Sequence, residues 1–313
     1  MSELRWHPFL QEWVITATHR QDRTFLPEKE ACPFCPNPND PSAEVPVAAY
    51  EIAVIENRFP SLSLPPPAPA VGGTDDIPVR PSEGKCEVVL YTPDHDATFS
   101  DLDERHIRKL IEVWLDRYAD LSSQKEVRYV YIFENKGKEI GVTLTHPHGQ
   151  IYAYPFVPAL VQRRLDAQRS DPHRFQRWLD WELSEAKRTV HENAHWVLLV
   201  PFFARYPYEL HVVPRRRAND LRALSDEEKA ALASALKIAA RTLDNLFGFS
   251  MPYILSLFQY WESWAALSFE FTPPYRTATK LKYLAGSEAG CGVFINDALP
   301  EDTAQTLRER LAT

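Results

Sequence analysis

The sequence predicts an α+β fold made of two similar halves, and three observations carry that reading. Short apolar segments of strand character bracket two long segments of helical period. The order strand, helix, strand, strand occurs twice. Moving the second set back by 122 residues lays Glu209 on Glu87, Leu224 on Leu102 and Tyr253 on Tyr131 without a gap, as an internal repeat requires. On that register Ser268 falls opposite His146, and Glu270 opposite His148.

Taken in order, "EWVITAT" (12–18) reads as an N-terminal strand. Residues 60–84, "PSLSLPPPAPAVGGTDDIPVRPSEG", are rich in Pro and Gly and lack a hydrophobic period, so they read as a long, mobile loop. The first set then follows: "CEVVLYTP" as strand, "LDERHIRKLIEVWLDRYADL" as amphipathic helix, "VRYVYIFEN" and "GQIYAYPFVP" as strands. The second set is "ELHVVP", "LSDEEKAALASALKIAARTLDNLF", "PYILSLF" and "LSFEFTPP". Whether the halves pack side by side or share one sheet stays open.

At 313 residues the chain suffices for one large or two medium domains, and 44% apolar with 25% charged residues is the balance of a folded soluble protein. There are 35 Lys and Arg against 43 Asp and Glu, a formal net charge of −8, so no general basic surface exists for nucleic acid or an anionic membrane. "MSELRWHPFL" lacks a basic stretch leading into an apolar run, and no window approaches 18 uninterrupted apolar residues. The expected location is the cytoplasm. Four cysteines with one close pair suit a reduced compartment.

That pair, Cys32-Pro-Phe-Cys35, brings two thiolates within reach of one ion, and tetrahedral zinc then needs two more ligands. His95 and His146 could supply them, although the separations match no zinc-finger spacing; reduced, partly buried cysteines beside ordinary histidines are the alternative. His146 and His148 alternate as strand residues do, so one could bind metal while the other does chemistry, or both could close a structural metal site. A neutral imidazole is a good nucleophile toward phosphorus when its far nitrogen donates to a fixed acceptor. Gly149 would let backbone approach a phosphate, and Gln150 can donate to a phosphoryl oxygen without acting as a base. Arg20 and Arg23 suit a diphosphate or a solvated face. Asn135, in "ENKG", marks a turn. His7, His19, His106, His173, His191, His195 and His211 show no partner spacing and read as structural or exposed.

In this order "EWVITATHRQDR", "CPFC", "ENRFPSL", "PDH", "FENKG", "HPHGQIYAYP" and "PPYRTATKLKYLAGSE" resemble the galactose-1-phosphate uridylyltransferase family, a branch of the histidine-triad superfamily. The likeness spans nearly the whole chain, and His-Pro-His-Gly-Gln is its specific part. It implies two fused histidine-triad-like repeats, each mostly antiparallel sheet with a long helix, placed at 1–165 and 166–313. It implies a homodimer with shared active sites and ping-pong transfer of UMP from UDP-glucose to galactose 1-phosphate. His148 matches the nucleophile that forms uridylyl-histidine, and Gln150 the residue that holds the phosphoryl group. Cys32, Cys35, His95 and His146 match zinc ligands. Arg20 and Arg23 match phosphate- and sugar-side arginines, Asn57 with Arg58 the nucleoside pocket, and Asn135 a phosphate contact. Gly141, Val142 and Thr143 match the turn before the catalytic strand. Lys282, Tyr283, Ser287 and Glu288 match a hexose-contacting segment supplied by the dimer partner.

Departures are visible too. Family members carry a second metal held in part by a His-x-His before the Pro-Pro pair; here that place reads Ser268-Phe269-Glu270, with Phe258 and Arg164 where other ligands are expected, so that second metal is expected to be absent. Relatives with the same histidine motif act as ADP-glucose phosphorylases, a second enzymatic reading. A zinc-stapled nucleotide-binding module without turnover is a third; its signature would be loss of the second imidazole or of Gln150, and residues 146–150 show neither.

Overall fold

The computed structural model describes residues 2–22 and 26–311. The chain forms two compact units. One takes the chain up to Asp96 with Val113–Phe133 and Thr143–Ala167; the other takes Ala97–Glu112, Glu134–Val142 and the chain from Gln168 onward.

In the first unit β1 (Ser2–His7) and β2 (Glu12–Ala17) make an antiparallel hairpin. After β3 (Ala53–Glu56), β4 (Val79–Pro81) pairs with the free edge of β1. The Pro-rich stretch expected to be mobile is tied to the hairpin at Ala70 and at 78–81. Trp6 N–H donates to the Pro78 carbonyl at 3.1 Å, and Ala70 N–H to the Glu3 carboxylate at 2.7 Å. A strand edge needs partners whatever their sequence, and a few main-chain bonds leave no hydrophobic period to read.

β5 (Lys85–Leu90) leads to α1 (Glu104–Ser122), then β6 (Tyr129–Lys136) and β7 (His148–Tyr154), and the antiparallel order is β3-β5-β7-β6. The amphipathic pattern of α1 buries Trp114 edge-on against Tyr91, while Arg117 forks onto Glu87 of β5 at 2.7 and 2.9 Å. Glu87 and Val89 thus face the helix; Cys86, Val88 and Leu90 face the other side with their ladder partners Tyr152, Gln150 and His148.

Beyond α2 (Ala159–Ser170), α3 (Arg174–Glu185), β8 (Thr189–Glu192) and β9 (Trp196–Leu199), the pattern recurs in the second unit. β10 (Leu210–Pro214), α4 (Asp226–Phe247), β11 (Tyr253–Phe258) and β12 (Ser268–Thr272) give the order β11-β12-β10-β9-β8. Ser225 and Glu228 form a capping box on α4, and left-handed Gly248 ends it. A small hairpin, β13 (Tyr275–Thr277) and β14 (Lys280–Leu281), precedes α5 (Pro300–Leu311).

The repeat is real, and its register needs one correction. The helices start at 104 and 226, and the turns before them at 99 and 221, so 122 holds there. Opposite His148 stands Leu90, whereas opposite Glu270 stands His211. If Glu270 answers to His148, His211 answers to Leu90 at an offset of 121. Glu209 then answers to Val88, not Glu87, and on β11 Tyr253 answers to Ile132, not Tyr131. A one-residue slip in a strand reverses the face: Glu87 turns to the helix, while Glu209 shares the opposite face with His211 and Glu270.

Candidate active site

Cys32 and Cys35 sit in the tight turn that the Cys-Pro-Phe-Cys spacing suggests, with Cys35 N–H directed to the Cys32 carbonyl at 3.4 Å. One ligand atom from each of Cys32, Cys35, His95 and His146 lies within 4.8 Å of the others. His95 stands in the loop five residues past the end of β5, not on the strand itself, and His146 in the bend before β7. The rings are oriented from behind. Nε2 of His146 lies 2.8 Å from the Thr92 carbonyl and 3.0 Å from the Tyr50 hydroxyl; a carbonyl only accepts, so the proton is on Nε2 and Nδ1 faces the Cys35 sulfur at 3.7 Å. His95 presents Nδ1 to the same sulfur at 3.5 Å, its Nε2 being 3.3 Å from Thr145 Oγ1. Two thiols and two imidazoles held this way fit a tetrahedral metal ion. Burial and the neighbouring Cys32 push the Cys35 thiol up to about 11, and burial brings His146 down to about 4. The sulfurs would thus lose protons when an ion enters.

β7 begins at His148, not at His146. Its Nδ1 lies 2.7 Å from the carbonyl oxygen of His146, which fixes the proton on Nδ1 and leaves Nε2 with a lone pair. Burial lowers its pKa, so the ring is neutral near pH 7. His148 and Gln150 project from one face of β7 into a small cleft of about 70 Å³, with Phe34, Glu44, Asn57, Arg58, Phe59 and Thr143 among its walls. Gly149 faces the other way. A Cβ there would stand 2.3 Å from the Tyr91 hydroxyl, so packing beneath α1 already requires a glycine at this position.

Arg20 lies on the His148 face farther along β7, its Nη1 within 3.3 Å of the Tyr152 hydroxyl and Ser61 Oγ and 3.0 Å from the Phe59 carbonyl. Arg23 lies outside the described residues. Asn57 caps its own turn by accepting from Phe59 N–H, and Arg58 stands 3.6 Å from Glu44. Asn135 is near the end of β6, two residues past Phe133, the ladder partner of Gln150. Gly141 takes the left-handed turn conformation and Val142 is buried after it. Lys282 and Glu288 are spent on each other at 3.1 Å, and Ser287 Oγ donates to the Val293 carbonyl, whereas Tyr283 is 75% exposed. The Lys282 ammonium holds the Glu288 carboxyl down to about 2.

Sequence reasoning did not single out Glu44, Phe34, Phe59 or Tyr50. Phe34, the last residue inside Cys-Pro-Phe-Cys, sets its ring 5.1 Å from that of His148 and 6.2 Å from that of His146. Burial pushes the Glu44 carboxyl up while Arg58 opposes it.

Two copies of one antiparallel sheet-and-helix arrangement, one of them opening its central strand on a neutral imidazole of fixed tautomer, fit the class of nucleotidyltransferases. The comparisons narrow this. The family profile "Galactose-1-phosphate uridyl transferase, N-terminal domain" matches residues 1–158 and the C-terminal counterpart residues 162–312, so the chain belongs to the galactose-1-phosphate uridyl transferase family. It is 40% identical to the galactose-1-phosphate uridylyltransferase of Thermotoga maritima, over 99% of this chain and 98% of that protein. To the one from Streptomyces lividans it is 36% identical, over 98% and 87%. A solved uridylyltransferase superimposes with a TM-score of 0.84 at 35% identity, covering 99% and 98% of the two chains. An ADP-glucose phosphorylase from Arabidopsis thaliana gives 0.73 at 26% identity, with 99% and 98% covered.

Proposed function

We propose that the chain is a hexose-1-phosphate uridylyltransferase acting through a uridylyl-histidine. The observation that carries this is the 2.7 Å contact between His148 Nδ1 and the His146 carbonyl, which leaves Nε2 as the nucleophile beside Gln150. Nε2 forms a bond to the α-phosphorus of UDP-glucose, and the bond to the bridging oxygen breaks, so that oxygen leaves with its electron pair as glucose 1-phosphate. The cation formed on the ring is stabilised through Nδ1–H by the carbonyl behind it. Gln150, which lines the cleft with His148, would donate to a phosphoryl oxygen, and Arg20 is the guanidinium assigned to the phosphate in this reading. Galactose 1-phosphate then attacks the same phosphorus and releases Nε2. Glutamine at 150 supplies no base, which favours an intermediate that waits for a phosphate acceptor over one lost to water.

The metal in this reading is one structural zinc on Cys32, Cys35, His95 and His146. It would clamp the Cys-Pro-Phe-Cys turn to the start of β7 and keep His148 in register. The family profiles change over between 158 and 162, which supports a boundary of the two halves near 165. A homodimer with shared active sites belongs to this reading, with the exposed Tyr283 and Leu284 as side chains a partner would cover. No helix among the described residues is long and apolar enough to cross a membrane; the reading is of a cytoplasmic enzyme of galactose metabolism.

ADP-glucose phosphorolysis is the second reading, favoured by the 0.73 TM-score to such an enzyme. Intact-mass spectrometry after mixing with UDP-glucose or ADP-glucose separates them. A UMP adduct is expected from the first alone; an AMP adduct from the second would reverse the assignment, and no adduct from either would remove the covalent mechanism.

A further inference from the structure

Tyr50 comes from an irregular segment ahead of β3, and its ring packs against the core cluster that includes Cys32, Phe34 and Leu90. Its hydroxyl is the meeting point of three pieces of chain. It lies 2.9 Å from the Thr92 carbonyl, in the loop leading to His95, and 3.3 Å from the Phe34 carbonyl, inside the Cys-Pro-Phe-Cys turn. It also lies 3.0 Å from Nε2 of His146. A hydroxyl has one proton to give and two lone pairs with which to accept. Both carbonyls only accept and His146 Nε2 carries a proton, so Oη can accept from the ring while its own proton goes to Thr92 or Phe34. The same Nε2 reaches the Thr92 carbonyl at 2.8 Å, which closes a triangle of Tyr50, Thr92 and His146. One acceptor would leave the ring free to swing about a single contact; two hold it from different directions.

The consequence runs two ways from that ring. Toward Nδ1, the ring is held with that nitrogen facing the Cys35 sulfur at 3.7 Å, so the hydroxyl acts on the Cys/His group without belonging to it. Toward the main chain, the residue whose ring Tyr50 holds is also the one whose carbonyl accepts from His148 Nδ1–H at 2.7 Å. We propose that Tyr50 is a positioning residue, which through His146 sets both the hold on a metal ion at Cys32, Cys35, His95 and His146 and the placing of the His148 ring. The first half stands on the Cys/His group alone; the second rests on the uridylyl-histidine reading above. Phenylalanine could fill the same space in the core, but only the hydroxyl reaches the ring nitrogen.

Tyr50→Phe keeps the ring and removes only the hydroxyl, and the full-length protein is compared with and without it. Zinc affinity, measured by competition with a chelator, is expected to fall about 10- to 100-fold, as loss of a group behind a metal ligand does. In zinc-saturated protein the rate of forming the UMP adduct at saturating UDP-glucose is expected to fall about tenfold with half-saturation unchanged, because the nucleophile and not the substrate is displaced. Unchanged zinc affinity in folded Tyr50→Phe overturns the proposal. A fall in affinity without a fall in rate overturns the link to His148. If the wild type forms no adduct at all, the uridylyl-histidine reading goes and the zinc comparison still decides for Tyr50. Should the variant not fold, nitrogen-15 NMR of the zinc-loaded wild type decides. A slowly exchanging proton on His146 Nε2 with an Overhauser contact to the Tyr50 ring is expected, and an Nε2 proton that exchanges freely with water overturns the role.

Discussion

β7 and β12 hold the same place in two copies of one arrangement and differ at alternate positions on one face. β7 opens on His148, with the apolar Leu90 opposite it; β12 carries Glu270 there, and the imidazole has crossed the ladder to His211. The acceptors differ in kind. His148 donates to a neutral carbonyl of its own chain two residues back, while His211 meets the carboxylates of Glu209 and Glu270. A carbonyl fixes a tautomer without adding charge, so the free nitrogen keeps its lone pair for a substrate. Carboxylates fill that space with oxygen. The fold supplies the face, and two or three side chains on it decide between a nucleophile and a charged cluster.

The most drastic way to break the comparison is to remove the imidazole from β7. His148→Gly is expected to abolish exchange between UDP-glucose and glucose 1-phosphate, by at least about 10⁴-fold, while leaving metal content unchanged. A variant that still exchanged at near wild-type rate would mean that another group attacks phosphorus. Next in size is the ion proposed on Cys32, Cys35, His95 and His146. Cys32→Ser is expected to lose the ion and lower Tm by about 10 °C, as loss of roughly 3–5 kcal/mol would do in a unit of this size. Transfer should fall as well, because His146 would no longer hold the start of β7; metal analysis with calorimetry checks both, and an unchanged Tm would show that the four residues are not a staple.

A smaller effect comes from the far face of β7. Gly149→Ala drives a methyl to 2.3 Å from the Tyr91 hydroxyl and is expected to cost about 1–3 kcal/mol in denaturant unfolding, part of it recovered in the double variant with Tyr91→Phe. If the cost were not shared with Tyr91 and appeared only in the rate of transfer, the glycine would belong to phosphate binding after all.

That contrast also marks what could be read beforehand. The strand and helix periods located both repeats, and the Cys-x-x-Cys pair together with the family resemblance named Cys32, Cys35, His95 and His146 as a ligand group that the fold brings together. Face assignments on β10 and β11 were lost because the offset of 122 was set by the helices, and connections that lengthen or shorten by one residue do not disturb a helical match while reversing a strand. Glu44, Phe34 and Tyr50 were missed because they come from irregular segments, where no period tells which side chain turns inward. His211 was set aside for want of a near partner in sequence; its partners are two residues away on its own strand and across a ladder, and only register joins them.

The smallest effect is a displacement along the pH axis, and its sign follows from burial. His148 gives up its proton more readily than a free imidazole because the buried site penalises the cation, an effect that the His146 carbonyl only partly offsets. Below about pH 6.5 an ordinary histidine is mostly cationic; His148 stays neutral, and therefore nucleophilic, further into acid. UDP-glucose has no phosphate monoester proton to exchange near pH 6, so the rate of forming the UMP adduct reports the ring itself. That rate is expected to stay level as pH falls through 6.5 and to decline only below it. Stability moves in the opposite sense. Below about pH 6.5 the unfolded chain takes up a proton that the folded ring refuses. In metal-free protein His146, lowered to about 4, adds to this loss between 6.5 and 4. Adduct formation must therefore be compared with melting at each pH. A midpoint at or above 6.5 in protein that remains folded would show that burial does not set the nucleophile, and that the carbonyl behind it, which favours the cation, is the stronger influence.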